Sequence, residues 1–91
     1  IDLQEHLEVS PNPASDQVNV LLTLPETGEI EGRVRVLLLD ATGRTVLEQP
    51  VQRNLNQLRT TVEVSALPAG MFYLHLCDAQ RWLAGSKVVV E

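Results

Sequence analysis

The sequence is poor in cysteine and in aromatic residues. Cys77 is the only cysteine among 91 residues, so an internal disulfide and a cysteine-based metal cluster are both excluded. Aromatic residues make up 3% of the chain, namely Phe72, Tyr73 and Trp82. The longest apolar runs, 36–39 and 88–90, are far shorter than the about 20 residues that a membrane-spanning helix needs. We therefore expect no membrane span.

Positive charge is also scarce. The chain has 7 Lys and Arg residues against 12 Asp and Glu residues, which gives a net charge of −5 and a pI near 4.9. Such a surface repels phosphate backbones and anionic lipids, so nucleic acid is not an expected partner. The glycines are scattered singly as turn residues, which excludes a glycine-rich phosphate loop.

The length limits the number of domains. A chain of 91 residues is one domain, because domains typically contain about 100 to 150 residues. We expect a single domain over 1–91, with residues 1–6 as a linker from an upstream domain. The chain begins at Ile1 without a basic and then apolar leader, which predicts that it is a segment of a longer protein.

Apolar and polar residues alternate with period two in short runs separated by turn residues, whereas helical periodicity is absent. The pattern predicts strands at 7–9, 17–24, 33–39, 44–47, 58–64, 71–77 and 82–90. Residues 49–57 are interpreted as a strand end or an edge strand that runs into a loop, and Gly85 and Ser86 predict a bulge. About seven strands in this length predict an all-β fold, an immunoglobulin-like antiparallel β-sandwich.

The third predicted strand has two apolar faces. Val34, Val36 and Leu38 are expected to point into the core. Leu37 and Leu39 make the opposite face partly apolar, which predicts that a partner covers it.

No set of residues predicts catalysis. His6 and His75 have no second ligand at metal-binding spacing. Cys77 would need a base and an oxyanion donor to act as a nucleophile, and nothing in the sequence points to His75, on the same strand face, as that base. We therefore interpret Cys77 as a packed side chain. Asp40 offers one carboxylate, whereas calcium needs about six to eight oxygens, so it is interpreted as a turn cap.

Paired carboxylates do not frame a predicted cleft either. Glu5 with Glu8, and Glu29 with Glu31, fall in exposed linkers, where they indicate solubilising charge rather than glycosidase chemistry. The sequence therefore predicts no catalytic residue, no cofactor and no metal site.

Tyr73 and Trp82 flank the turn predicted at 78–81. On neighbouring strands they would form a small aromatic platform for a sugar, or they would simply pack across the strands. This pair motivates an alternative function, an immunoglobulin-like carbohydrate-binding or adhesion module of a secreted multidomain protein.

Four short motifs follow one another along the chain: residues 9–16 (VSPNPASD), 40–44 (DATGR), 67–72 (LPAGMF) and 87–90 (KVVV). Each has a physical reason in the predicted fold. Pro11 and Pro13 fix two φ angles and stiffen the entry to the sandwich. Gly43 supplies the positive φ of a hairpin turn. The third motif turns the chain between strands, and the fourth forms the last strand.

In this order and spacing the four motifs resemble the C-terminal sorting domain of the bacterial type IX secretion system, the Por secretion tail. The resemblance covers about residues 7–91. Phe72 departs from it, since the family more often has Tyr there, although Tyr73 follows immediately. The motif residues, interpreted as candidate recognition residues, are Pro11, Asn12, Pro13, Asp40, Gly43, Arg44, Leu67, Pro68, Gly70, Lys87, Val88, Val89 and Val90.

The resemblance implies a sorting function. Such tails direct an upstream cargo protein from the periplasm across the outer membrane, to the cell surface or the medium. The implied partners are the outer-membrane translocon with its receptor and a sortase-like cysteine peptidase that cleaves the tail. By this analogy the chain is a substrate and not an enzyme. The last strand, near Lys87, would contact the machinery by strand pairing or surface docking, and an exposed edge strand would allow strand-mediated self-association.

Overall fold

The computed structural model describes residues 3, 6–24, 32–79 and 81–91. These residues hold eight strands: β1 (Leu7–Ser10), β2 (Gln17–Thr23), β3 (Arg35–Leu39), β4 (Thr45–Pro50), β5 (Gln52–Asn54), β6 (Gln57–Glu63), β7 (Gly70–Cys77) and β8 (Trp82–Val90). The paired carboxylates Glu5, Glu29 and Glu31 lie outside the described residues, as does Gln80 of the turn predicted at 78–81.

The strands form two antiparallel four-stranded sheets that pack as a sandwich. Sheet A has the order β1-β2-β6-β5 and sheet B the order β4-β3-β7-β8. The predicted antiparallel β-sandwich is confirmed.

The core lies between the inner faces of the sheets, as the period-two alternation predicted. Each central strand buries alternate residues, for example Val20 and Leu22 from β2 and Val36 and Leu38 from β3. Phe72, Leu74 and Leu76 of β7 and Val88 and Val90 of β8 complete the inner face of sheet B. Leu37 and Leu39 face outward and are half-buried.

The polar stretch 49–57 contains both of the structures that the sequence indicated for it, since β4 ends at Pro50 and β5 is an edge strand beside β6. The chain changes sheets at Val51, whose N–H donates to the carbonyl of Val34 at 3.0 Å. This bond satisfies the Val51 N–H at the point where the chain crosses from sheet B to sheet A.

The bulge predicted at Gly85 and Ser86 is wrong. These residues pair regularly with His75 and Leu74, and the register shift lies where Ala84 opposes Leu76 and Trp82 opposes Cys77. Leu83 is therefore the extra residue. Its side chain is fully buried, so the bulge places a leucine side chain in the core. The glycine pattern of the sequence did not indicate a bulge at this position.

No helix in the described ranges is long and apolar enough to cross a membrane.

Candidate recognition site at one end of sheet B

The turn between β3 and β4 is held by the Asp40 side chain. Its Oδ1 accepts hydrogen bonds from the Thr42 hydroxyl at 2.6 Å and from the N–H groups of Thr42 and Arg44 at 2.9 and 3.0 Å. Gly43 has a φ of +91°, and its N–H donates to the Asp40 carbonyl at 3.0 Å. The hairpin predicted from this motif is confirmed.

The Asp40 carboxyl is stabilised in its ionised form by these donors. The hydrogen bond from the Thr42 side chain is the largest cause that holds its pKa below the usual value of 3.8, followed by the bond from the Arg44 N–H. Arg44 adds an ion pair, Nε to Oδ2, at 3.3 Å. Asp40 therefore caps the turn, as the sequence predicted.

The corner before β7 carries the third motif. The Leu67 N–H donates to the Val64 carbonyl at 3.0 Å, and the half-buried Leu67 side chain packs against the core. Pro68 lies exposed beside it, and Gly70 begins β7 directly afterwards.

Asn12 of the first motif lies against the outward edge of β8. Its Nδ2 donates to the Lys87 carbonyl at 2.8 Å, and its Oδ1 accepts from the Val89 N–H at 3.0 Å. An amide side chain offers a donor and an acceptor side by side, as a backbone does. Asn12 therefore pairs with β8 as a neighbouring strand would.

Ala14 continues this pairing. Its N–H donates to the Val89 carbonyl and its carbonyl accepts from the Glu91 N–H, both at 2.8 Å. Ala14 is 1% exposed. Two residues later the Asp16 carbonyl accepts from the Val64 N–H at 2.8 Å, so the segment 11–16 joins the edge of sheet B to sheet A.

The strand register brings the four motifs to one end of sheet B. Leu39, Tyr73 and Lys87 form one row across β3, β7 and β8. The turn 40–44 follows Leu39, Gly70 pairs with Val90 at the start of β7, and Asn12 lies beside the same part of β8. Sequence spacing could not predict this convergence, because the first and last motifs are joined across 75 residues or more.

The outer face of sheet B carries the exposed aromatic residues. Tyr73 is 38% and Trp82 45% exposed, and both project outward beside half-buried Leu37 and Leu39. The Trp82 ring contacts His75 edge to face, with the ring centroids 6.2 Å apart, while Tyr73 pairs across the strands with Lys87. The two aromatic residues share a face, yet Trp82 packs on His75.

Cys77 and His75 do not form a reactive pair. Burial is the main cause that raises the pKa of the Cys77 thiol, and the nearby Arg35 charge opposes the shift. The thiol therefore stays protonated at neutral pH and is a poor nucleophile. His6 is exposed, and within the described ranges no three His, Cys, Asp or Glu side chains are grouped to hold a metal ion.

Residues 8–91 match the family model described as "Secretion system C-terminal sorting domain". No curated protein matches the sequence.

Among solved structures, the chain is similar to part of a thermostable endoglucanase from Alicyclobacillus acidocaldarius, with 14% sequence identity and a TM-score of 0.55. The match covers 82% of this chain and 12% of that chain. At this identity the likeness shows the fold alone, and none of these comparisons favours a carbohydrate-binding or adhesion module.

The family match extends over nearly the whole chain and includes all four motifs. The chain belongs to the family of type IX secretion C-terminal sorting domains.

Proposed function

We propose that the end of sheet B at which the four motifs meet is the surface recognised by the outer-membrane translocon and its receptor. The family assignment makes the domain a type IX sorting signal, which implies export to the cell surface or secretion. The observation that carries the proposal is the contact of the first motif with the last, through Asn12 and the β8 edge. In this proposal the four motifs act as one composite surface rather than as four separate turns.

In this proposal the domain passes through the periplasm attached to an upstream cargo protein. It docks on the machinery with β8 and the turn 40–44, and a sortase-like cysteine peptidase then cleaves it from the cargo. The domain itself performs no catalysis. Two observations support a non-catalytic domain. Burial raises the pKa of the Cys77 thiol, and the His75 ring contacts Trp82.

A reporter fusion tests the sorting function. Residues 1–91 are fused to the C-terminus of a fluorescent protein with a signal peptide and expressed in a bacterium with the type IX system and in its translocon-deficient mutant. We expect the reporter at the surface or in the medium only in the competent strain. A fusion that lacks residues 87–91 should stay in the periplasm. Retention of the complete fusion in both strains would refute the sorting role.

A charge reversal tests the location of the surface. Lys87→Glu changes an exposed residue beside the Asn12 contact. Arg59→Glu is the matched control, because Arg59 is exposed on the outer face of sheet A. We expect Lys87→Glu to reduce secretion about tenfold or more, as the loss of a central interface residue does. Arg59→Glu should secrete normally, and equal secretion by the two variants would place the recognised surface elsewhere.

A further inference from the structure

We propose that Leu55, at the tip of the β5–β6 turn, is a second contact of the domain with the secretion machinery, and that it inserts into an apolar protein pocket rimmed by carboxylates. The inference rests on the proposed sorting function and adds a contact outside the surface formed by the four motifs. Its basis is that Leu55 is both highly exposed and held in an unfavourable backbone conformation.

Leu55 is the most exposed large apolar side chain of the described residues. It is 87% exposed, whereas the next, Trp82, is 45% exposed and packs on His75. A single exposed leucine is ordinary on a protein surface, so exposure by itself indicates no function. The backbone of Leu55 supplies the second observation.

The backbone of Leu55 lies in the left-handed region. Asn54 pairs with Gln57, so Leu55 and Asn56 form a two-residue hairpin loop. Leu55 has a φ of +56°, and no other non-glycine residue in the described ranges has a positive φ. Glycine or asparagine usually occupies such a position, because a bulky side chain there raises the free energy of the backbone. Strain of this kind occurs mainly where a residue serves a function, and here asparagine stands on both sides of the strained leucine.

The turn is held in place without a partner. The Leu24 N–H donates to the Asn56 carbonyl at 2.6 Å, which ties the turn to the residue after β2. Arg53 Nε donates to the Leu55 carbonyl at 3.4 Å. A preorganised side chain loses little conformational freedom on binding, so more of its burial contributes to affinity.

The charge around the tip indicates the rim of the pocket. The chain carries a net charge of −5, yet residues 49–62 contain Arg53 and Arg59 and no Asp or Glu. Arg59 lies further from the tip and donates to the Gln57 side chain at 3.2 Å. Arg53 is exposed directly beside the tip. An apolar pocket with carboxylates at its rim therefore complements Leu55 and Arg53.

The position of Leu55 makes this contact separate from the motif surface. In β6, Glu63 lies at the end beside the motif segment 11–16, and Gln57 lies at the other end, beside the turn. The seven residues of β6 span about 20 Å. Two contacts this far apart on one domain strengthen its attachment to a large partner.

Substitution by glycine separates the side chain of Leu55 from its backbone strain. Leu55→Gly removes both, so we expect Tm to rise by about 2–5 °C. In the reporter fusion of residues 1–91, secretion by the competent strain should fall about tenfold or more, as expected when a leucine no longer fills an apolar pocket. A purely structural role does not explain a variant that is more stable and less secreted.

Further variants test the chemistry of the pocket. Leu55→Met keeps a long apolar side chain and should be secreted within about twofold of the natural sequence, whereas Leu55→Ala should be secreted as poorly as Leu55→Gly. Arg53→Glu should lower secretion, and Arg59→Glu, the same charge reversal further from the tip, should not. Poor secretion of Leu55→Met or normal secretion of Arg53→Glu would overturn an apolar pocket with an acidic rim.

Vesicles test whether a lipid surface receives the tip instead. The purified domain is mixed with vesicles of phosphatidylglycerol and phosphatidylcholine, and bound protein is separated by flotation. We expect the natural sequence to remain unbound. Binding that is lost in Leu55→Gly would assign Leu55 to a lipid surface and overturn the protein pocket.

The natural fusion distinguishes failure of this inference from failure of the sorting function. Its retention in the competent strain would refute the sorting role. If the natural fusion is secreted and Leu55→Gly is secreted equally well, only the second contact is refuted. A lower Tm for Leu55→Gly would also overturn the second contact, because Leu55 would then stabilise the fold itself.

Discussion

Asn12 and Val89 are joined by a hydrogen bond from the Val89 N–H to Asn12 Oδ1 at 3.0 Å, although 77 residues separate them in the chain. The bond connects a proline-flanked loop with the last strand of the fold. It gives the first and last family motifs a shared structural role, because neither can be changed without altering the edge of β8.

Removal of the Asn12 side chain should lower stability measurably. Asn12→Ala deletes two side-chain hydrogen bonds, to Lys87 and from Val89, and each such bond contributes about 0.5–1.5 kcal/mol. We expect the free energy of unfolding to fall by about 1–2 kcal/mol in urea titrations. Asn19→Ala, which deletes one exposed bond with Thr61, should cost less, and an equal loss in both variants would contradict the special role of Asn12.

The stability contributed by Asp40 should depend on pH in a defined direction. The folded-state pKa of Asp40 lies below the ordinary value of 3.8, so its ionised form stabilises the fold above that value. This contribution is lost as pH falls through the folded-state pKa. Asp40→Asn should therefore be less stable than the natural sequence at pH 7, and the difference should shrink toward about pH 2.

Urea unfolding of both proteins at the two pH values measures this difference. Asp16→Asn serves as the control, because Asp16 is exposed and outside the hairpin. A difference for Asp40→Asn that grows as pH falls would contradict the direction derived from its hydrogen bonds.

Gly85 should tolerate no side chain. A Cβ at this position would lie 2.9 Å from the backbone oxygen of Leu74 and 3.2 Å from Trp82 Cζ2. The backbone of β7 cannot move away without disturbing the sheet, so Gly85→Ala should cost about 1–3 kcal/mol.

Thermal unfolding should thus show a lower Tm for Gly85→Ala than for Ser86→Ala, a change at the neighbouring half-buried position. An unchanged Tm for Gly85→Ala would contradict the close approach of Leu74 and Trp82 to Gly85.

Replacement of Asp78, the buried carboxylate of the β7–β8 turn, should destabilise the fold. Asp78 is 1% exposed, and its Oδ1 accepts from the Arg81 N–H at 2.8 Å. Its own N–H donates to the Arg81 carbonyl at 3.0 Å. Asp78→Ala leaves the Arg81 N–H without this acceptor and should cost about 1–3 kcal/mol in the free energy of unfolding.

Asp16→Ala, at an exposed position, should change stability by no more than about 0.5 kcal/mol. Chemical unfolding of the two variants side by side decides the matter. Similar losses at both positions would show that burial of Asp78 has no energetic consequence.

Much of the fold could be predicted from local pattern. Alternation placed Val36 and Leu38 in the core and Leu37 outside, because successive side chains of a strand point to opposite faces. The Asp40–Gly43 turn was predictable, because a hairpin turn of this kind needs a residue with positive φ and glycine adopts that conformation most easily. The position of the bulge was not predictable from local pattern, because the extra residue, Leu83, is buried in a core to which both sheets contribute.

The sequence by itself determined the strand pattern, the β3–β4 hairpin and the family, since these depend on residues close together in the chain or on their order along it. Only the tertiary structure decided that Asn12 lies on β8 and that the four motifs meet at one end of sheet B. Pairing between segments distant in sequence is set by the packing of the whole sandwich, which local patterns in the sequence do not specify.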